Sequence, residues 1–297
     1  MKLPVQQNLF GPNILLKQGV TFKTQLLKWV GNKQRFAHEI ISYFPEKFNT
    51  YFEPFIGSGA VIGTLAPKKG IAGDILKPLV EIWRAVIFHP VEVIEWYKKG
   101  YELTLKIGKE EAYNRIKESY NLNPNPTDLL FVLRTCYGGV VRFRQEDGFI
   151  STPCGVHNPI SPDSFVHRVW VWNERLKGTA VYHADFEKLF DMSKEGDIIY
   201  CDPPYFHTQS ILYGAQTFSL ERLFKAIEKV NNIGVFVALS IDGSKKSGNL
   251  ICNIPIPKGL FKREVTVNCG RSMLRRFQLK NQTLESEVVS DRLLLTW

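Results

Sequence analysis

Tyr51-Phe52-Glu53-Pro54-Phe55-Ile56-Gly57-Ser58-Gly59 is the stretch that decides the fold. Its apolar start reads as a strand buried on both faces, and the glycine turn that follows lets the backbone approach a ligand closely. The same pattern recurs outward. Gly70 to Ala72, Val181 to His183, Ile198 to Cys201 and Val235 to Leu239 are short apolar runs ended by Gly, Asp or Pro, as buried parallel strands are. Phe36, Ile40 and Phe44 recur every four residues, which predicts one buried helix face until Pro45. Ser219 can cap a helix carrying Leu223, Phe224, Ile227 and Val230 on one stripe. Strand signals return at Glu264 to Asn268 and Arg292 to Thr296, which can pair as an antiparallel edge. The fold class expected is α/β: a doubly wound, mostly parallel sheet with an antiparallel edge.

Between Arg84 and Arg168 the alternation gives way to aromatic, basic and turn-forming residues, with a loop expected over Asn121 to Pro126. We read that stretch as an insertion. The division expected is therefore 1–83 for a first part of the main domain, 84–168 for a smaller inserted domain and 169–297 for the second part. Residues before Gly19 show no periodicity and read as an irregular arm.

A formal charge of +9, from 38 Lys plus Arg against 29 Asp plus Glu, suits a polyanionic partner, although a merely basic protein has the same balance. The five cysteines show no C-x-x-C spacing and their odd number argues against a disulfide framework, so a reducing cytoplasm is expected. His38-Glu39 is followed by Ser42 where a zinc motif needs histidine, and no other ligand cluster exists, so no metal is expected. The longest apolar stretch, near Val235 to Ile241, is far short of the ~20 helical residues that span a bilayer, so no membrane is expected.

Asp74 ends the strand after the glycine turn, seventeen residues beyond Gly57, where a carboxylate can accept from both hydroxyls of a ribose. No complete G-x-G-x-x-G or G-x-x-x-x-G-K-[ST] is present, which favours a nucleoside cofactor lacking phosphates. The competing reading is a glycine turn needed for steric reasons alone.

Ile198-Ile199-Tyr200-Cys201-Asp202-Pro203-Pro204-Tyr205 delivers an acid, two prolines and a ring at the carboxyl edge of the sheet. The prolines fix the backbone and remove two N–H donors, so carbonyl oxygens point out of a rigid turn. Such a corner is an acceptor clamp for an amino group on an aromatic ring. Hydrogen bonds from that group to the Asp202 carboxylate and the Pro203 carbonyl help localise its delocalised lone pair, while Tyr205 stacks on the ring. The competing reading is a stiff turn after a core strand.

At these residues the chain resembles the Dam-like, alpha-group adenine-specific DNA methyltransferases, in that family's motif order over most of its length. Leu27-Lys28-Trp29-Val30-Gly31-Asn32-Lys33 is similar to the family's amino-terminal motif, Phe55 to Gly59 to its glycine motif and Asp202 to Tyr205 to its catalytic tetrad. The resemblance implies a Rossmann-like methyltransferase sheet, S-adenosyl-L-methionine as cofactor and double-stranded DNA as partner. It implies Asp202, Pro203, Pro204 and Tyr205 as catalytic residues. As cofactor-binding residues it implies Trp29, Lys33, Glu53, Pro54, Phe55, Gly57, Gly59, Asp74, Ile75, Asp185, Phe186 and Asp202. Trp29 can equally be a core aromatic, Lys33 a solvated helix start and Asp185 a helix cap.

Thr135 to Gly139, followed by Arg142-Phe143-Arg144 and Gly148 to Gly155, resembles the family's target-recognition hairpin. A strand there shows two guanidinium groups on one face and a ring on the other, suited to phosphates, guanine edges and a wedge between bases. A solvated arginine face over a buried Phe143 is the competing reading. Arg134, Arg142, Phe143, Arg144, Arg271 and Arg275 form the expected DNA-binding set, with Arg276 and Lys280 beside the last two. The sequence departs from the best-known members at Val30, Asn32 and in the hairpin, so no recognition sequence carries over.

The function expected is N6 methylation of adenine in a short duplex site by base flipping and direct displacement, in a restriction-modification or regulatory setting. No nuclease segment is evident, so a cognate restriction endonuclease would be a separate chain. RNA or a side-chain amide as substrate, and a DNA-binding regulator with an inactive cofactor fold, remain as alternatives.

Overall fold

Residues 22–144, 146–204, 218–245, 250–251, 254–271 and 288–297 are described by the computed structural model. Strands β1 (Tyr51–Glu53), β2 (Gly70–Asp74), β3 (Thr179–His183), β4 (Ile198–Cys201) and β5 (Phe236–Lys245) run parallel in the order β3-β2-β1-β4-β5. The sheet continues through β8 (Val288–Leu295), antiparallel to β5, to β7 (Arg263–Arg271), antiparallel to β8, and β6 (Leu250–Ile251) pairs with the end of β5. The expected antiparallel edge is present, with Thr266 opposite Arg292. Chain order reverses between β1 and β4. In an open α/β sheet such a switch leaves a crevice outside the strands' carboxyl ends, and here those ends are Glu53 and Cys201.

Alternate residues feed opposite faces of the sheet. Tyr51, Ile198 and Ala238 join one apolar cluster, while their neighbours Phe52, Ile199 and Val237 join the other. Both faces are covered by helices, as parallel strands require. Helices α1 (Ala37–Ser42), α2 (Ala60–Leu65) and α3 (Lys77–Phe88) contribute to the first cluster; α8 (Phe186–Met192) and α9 (Leu220–Asn231) pack on the second. Ser219 caps α9, its side chain accepting from the backbone N–H of Arg222, and the predicted stripe is buried.

The stretch after α3 is more regular than its composition implied. It folds into α4 (Pro90–Ile107), α5 (Lys109–Leu122), α6 (Pro126–Thr135) and α7 (Pro162–Arg175). Pro90, Pro126 and Pro162 each open a helix, where a missing N–H costs nothing, rather than breaking one. The expected loop shrinks to Asn123–Asn125, and Asn125 caps α6 through the N–H of Asp128 at 2.9 Å. These helices share the first apolar cluster with the sheet: Tyr97 and Phe165 stack at 4.0 Å in the same core that holds Tyr51. Among the described residues no helix is long and apolar enough to cross a membrane, and no three potential ligands cluster to hold a metal.

Candidate active site

The crevice at the switch point opens as a cleft with about 930 Å³ of space between its atoms, the open solvent of its mouth included. The glycine bend forms its floor. Gly57 has φ +44° and Gly59 φ +65°, a region that L side chains rarely adopt. Trp83 Nε1 donates to the Gly57 carbonyl at 3.0 Å, and a Cβ at Gly57 would stand 3.0 Å from Trp29 Cδ1, so an indole closes on the bend from each side.

Asp74 stands against the bend from β2. Its carboxylate accepts from the N–H of Gly57 at 3.3 Å and of Leu76 at 3.0 Å, while burial pushes its pKa up to about 6. Glu53, at the end of β1, is buried and receives the Tyr51 hydroxyl at 2.6 Å; burial raises its pKa to about 8, and the nearby Asp202 charge adds to the rise. Asp202 leaves β4 beside it, its Oδ1 2.8 Å from the buried Lys33 Nζ. Lys33 also donates to the Gly31 carbonyl at 3.2 Å and lies 3.4 Å from Asp291 Oδ2 on β8. At the far side, Phe55, Phe186 and Phe218 pack at 5.5 to 6.0 Å, edge-on and tilted.

Asp185 is the helix cap of its competing reading and also lines the cleft. Its Oδ1 accepts from the Glu187 N–H at 3.1 Å and from Arg222 Nη2 at 3.0 Å. Arg222 further pairs with Glu187 and lies over the Phe186 ring at 5.1 Å. Trp29, Lys33, Glu53, Pro54, Phe55, Gly57, Asp74, Ile75, Asp185, Phe186, Asp202 and Pro204 line one cleft. Gly59 lies just beneath it, against Trp83 and Trp172. Tyr205 and Arg275 lie outside the described residues, as do Arg276 and Lys280; Arg271 ends β7, its side chain likewise outside them.

Two of the expected DNA contacts are corrected. Arg134 is only 6% exposed: its Nη1 donates to the Leu26 carbonyl at 3.1 Å, and burial beside Arg168 lowers its pKa to about 10. With Arg168 on the Gln25 carbonyl and Trp172 on that of Thr24, it fixes the segment leading into Trp29 and Lys33. Phe143 is buried opposite Ile150 in a hairpin closed by Ser151 N–H to Arg142 O and Arg144 N–H to Phe149 O, so it is core and not a wedge. The alternation itself holds, because Arg142 and Arg144 are exposed on the other face. Arg144 is committed to an ion pair with Asp147.

Sequence reasoning missed Phe218, Arg222 and Asp291. The first two flank the capped start of α9, and nothing in the linear pattern ties them to the site. Asp291 interrupts the apolar run of β8, which was its one available signal.

Among the described residues the cleft is lined by four acids, Glu53, Asp74, Asp185 and Asp202, and one cation, Lys33, with a wall of phenylalanine rings. Even with Glu53 protonated at neutral pH, as its pKa of about 8 implies, the remaining carboxylates suit a nucleoside bearing positive charge better than a polyphosphate. The cleft lies at the switch point of a doubly wound sheet, where open α/β folds bind their ligands. Residues 29–250 match the model of the D12 class N6 adenine-specific DNA methyltransferases, and the chain belongs to that family. A Type II methyltransferase, M1.LlaDCHI of Lactococcus lactis subsp. cremoris, is 28% identical over 262 residues, 83% of this chain and 90% of the relative. A DNA adenine methylase of Haemophilus influenzae is 26% identical over 71% of this chain and 78% of its own length. The Type II methyltransferase M.MjaIII of Methanocaldococcus jannaschii is 28% identical over 60% and 68%.

Proposed function

We propose that this adenine methyltransferase uses S-adenosyl-L-methionine and acts on a base turned out of duplex DNA, with Asp202 as its central residue. The observation that carries the reading is that Asp202 and the glycine bend line the same open cleft, with Lys33 holding the carboxylate. When bound, the cofactor supplies an electrophilic methyl group on a sulfonium sulfur. Asp74 would hold its ribose, the Phe55–Phe186–Phe218 wall with Asp185 its adenine, and Glu53 with Trp29 and Lys33 its amino-acid end. Asp202 and the Pro203 carbonyl accept the N–H groups of the target amine, and Tyr205 stacks on its ring. As the amine nitrogen takes the methyl group, Asp202 would hold the proton that the amine gives up until water accepts it. Positioning supplies most of the acceleration.

Residues 84–168 serve as the recognition part, with the exposed Arg142 on the hairpin as a DNA contact. The setting is bacterial or phage-type, in a reducing cytoplasm, as a modification or regulatory enzyme whose endonuclease, where one exists, is a separate chain. The test is expression in a methylation-free host with mapping of modified adenines, beside competition of labelled-methyl transfer among duplex DNA, RNA and protein. Asp202→Ala abolishes adenine methylation. Near-normal turnover by that variant would overturn the role, and preferential labelling of RNA or protein would overturn the substrate.

A further inference from the structure

One guanidinium engages three consecutive residues at the opening of α8. Arg222 Nη2 donates to Asp185 Oδ1 at 3.0 Å and to Glu187 Oε2 at 2.8 Å, its Nε donates to Glu187 Oε1 at 3.0 Å, and its Cζ lies 5.1 Å from the centre of the Phe186 ring. Asp185 and Phe186 are among the described residues that line the cleft, whereas Arg222 and Glu187 are not. The sequence brings the arginine there through a cap: Ser219 starts α9 and accepts from the Arg222 N–H at 3.4 Å. Phe218, just before the cap, is itself a ring of the cleft wall, 6.0 Å from Phe186 and 5.8 Å from Phe55. The first turn of α9 thus supplies one wall ring and grips the residues that carry the next.

As the cap of α8, Asp185 receives the Glu187 N–H on Oδ1 at 3.1 Å, and Arg222 meets that same oxygen. One hydrogen bond leaves a carboxylate free to turn about it. A second donor, carried on a planar fork that Glu187 already holds at two points, sets its plane. These side chains are 36% to 45% exposed, and ion pairs so open to water add little to the stability of a fold. What such a fork supplies is geometry. The competing reading is an ordinary tie between α8 and α9, such as Lys229 makes with Asp191 at 2.7 Å farther along the same two helices. That second tie joins residues outside the cleft lining, whereas Arg222 bears on two that belong to it.

We propose that Arg222 is a positioning residue that determines which base the bound nucleoside carries: it sets the Asp185 carboxylate so that Oδ2 accepts from the exocyclic amine of adenine held against Phe186. A 6-oxo base presents an oxygen where adenine presents that N–H, so two acceptors face each other and the base is refused. The inference rests on the reading of Asp185 and the phenylalanine wall as the adenine end of the cofactor site. Arg222 touches neither the base nor the transferred methyl group and acts through Asp185.

The test measures, by calorimetry, the Kd of S-adenosyl-L-homocysteine and of its 6-oxo counterpart S-inosyl-L-homocysteine. The proteins are the parent, Arg222→Met, Arg222→Lys, Asp185→Asn, the Asp185→Asn/Arg222→Met pair and Lys229→Met as the control tie. The parent is expected to prefer the adenosyl compound by about thirtyfold or more. Arg222→Met should cut that preference about tenfold, chiefly by weakening the adenosyl compound, with a urea midpoint within about 0.5 M of the parent. Arg222→Lys keeps the charge without the fork and should recover only part of it, and Lys229→Met should leave the preference as it is. In the Asp185→Asn background, Arg222→Met should change the preference by less than about twofold, because the group it positions is gone. An unaltered preference in Arg222→Met, an equal loss in Lys229→Met, or losses that multiply in the double variant overturns the inference. A parent that binds the two compounds alike overturns it as well. A parent that binds neither overturns the cofactor reading itself, a failure distinct from a parent that discriminates and an Arg222→Met that discriminates equally.

Discussion

Trp83 and Gly57 are joined by a 3.0 Å hydrogen bond from the indole Nε1 to the glycine carbonyl, which fixes the bend from below while Trp29 lies against it from the other side. The bend is therefore held in its left-handed conformation before any ligand arrives. Gly57→Ala introduces a Cβ 3.0 Å from Trp29 in a backbone region that costs a non-glycine residue about 1 kcal/mol or more. The expected outcome is a folded protein whose cofactor Kd, measured by calorimetry, is weakened about tenfold or more. Unchanged affinity would show that the bend does not shape the site.

The two arginines that the sequence placed together should behave oppositely. Arg142→Ala removes an exposed cation, and the slope of log K for DNA against log salt should fall by about one. Arg134→Met leaves that slope unchanged. It instead frees the Leu26 carbonyl and lowers stability by about 1–3 kcal/mol in denaturant titration.

Phe143→Ala tests the corrected role of the ring. Deleting a buried phenylalanine costs about 3–5 kcal/mol, so the Tm should drop by several degrees or the hairpin should open. A wedge residue would instead leave stability intact and slow base extrusion, read by fluorescence of 2-aminopurine at the target position.

Glu53 gives a pH dependence with a definite sign. Its pKa rises from an ordinary carboxylate value to about 8 on folding, so between pH 4.5 and 8 the folded state binds more protons than the unfolded one. Stability from this group is full below pH 4.5 and is lost as pH climbs to 8. Glu53→Gln removes that loss. Its stability relative to the parent should increase from pH 5 to pH 8 by an amount on the order of a few kcal/mol. Parallel stability curves for the two proteins across that range would contradict the assignment.

The sheet was legible because strands buried on both faces have to be short, apolar and punctuated: the runs at Tyr51, Ile198 and Val235 all became strands. The cleft was legible for a related reason, since residues at strand ends are set by the topology: Glu53 and Asp74 each end a strand and Asp202 follows one directly. The helices of residues 90–135 were hidden. Their prolines sit at first turns, and their buried faces are built from tyrosines and small residues such as Tyr97, Gly100 and Tyr113, which read as irregular in a linear scan. Gly100 is there because Phe131 presses to within 2.3 Å of where a Cβ would be. Arg134 and Phe143 were misread because charge and aromaticity alone do not reveal which way a side chain faces. Asp291 and Arg222 join the site only through strand order and helix packing.

The segment from Thr24 to Leu26 hangs by its carbonyls from Trp172, Arg168 and Arg134, all of them on α6 and α7. The peptide that presents Trp29 and Lys33 to the donor side is thus pinned by the same helices that lead into and out of the hairpin. The hairpin and the Trp29–Lys33 side of the cleft share a splint here. A swapped hairpin brought in with its flanking helices would reset that wall of the cleft as well.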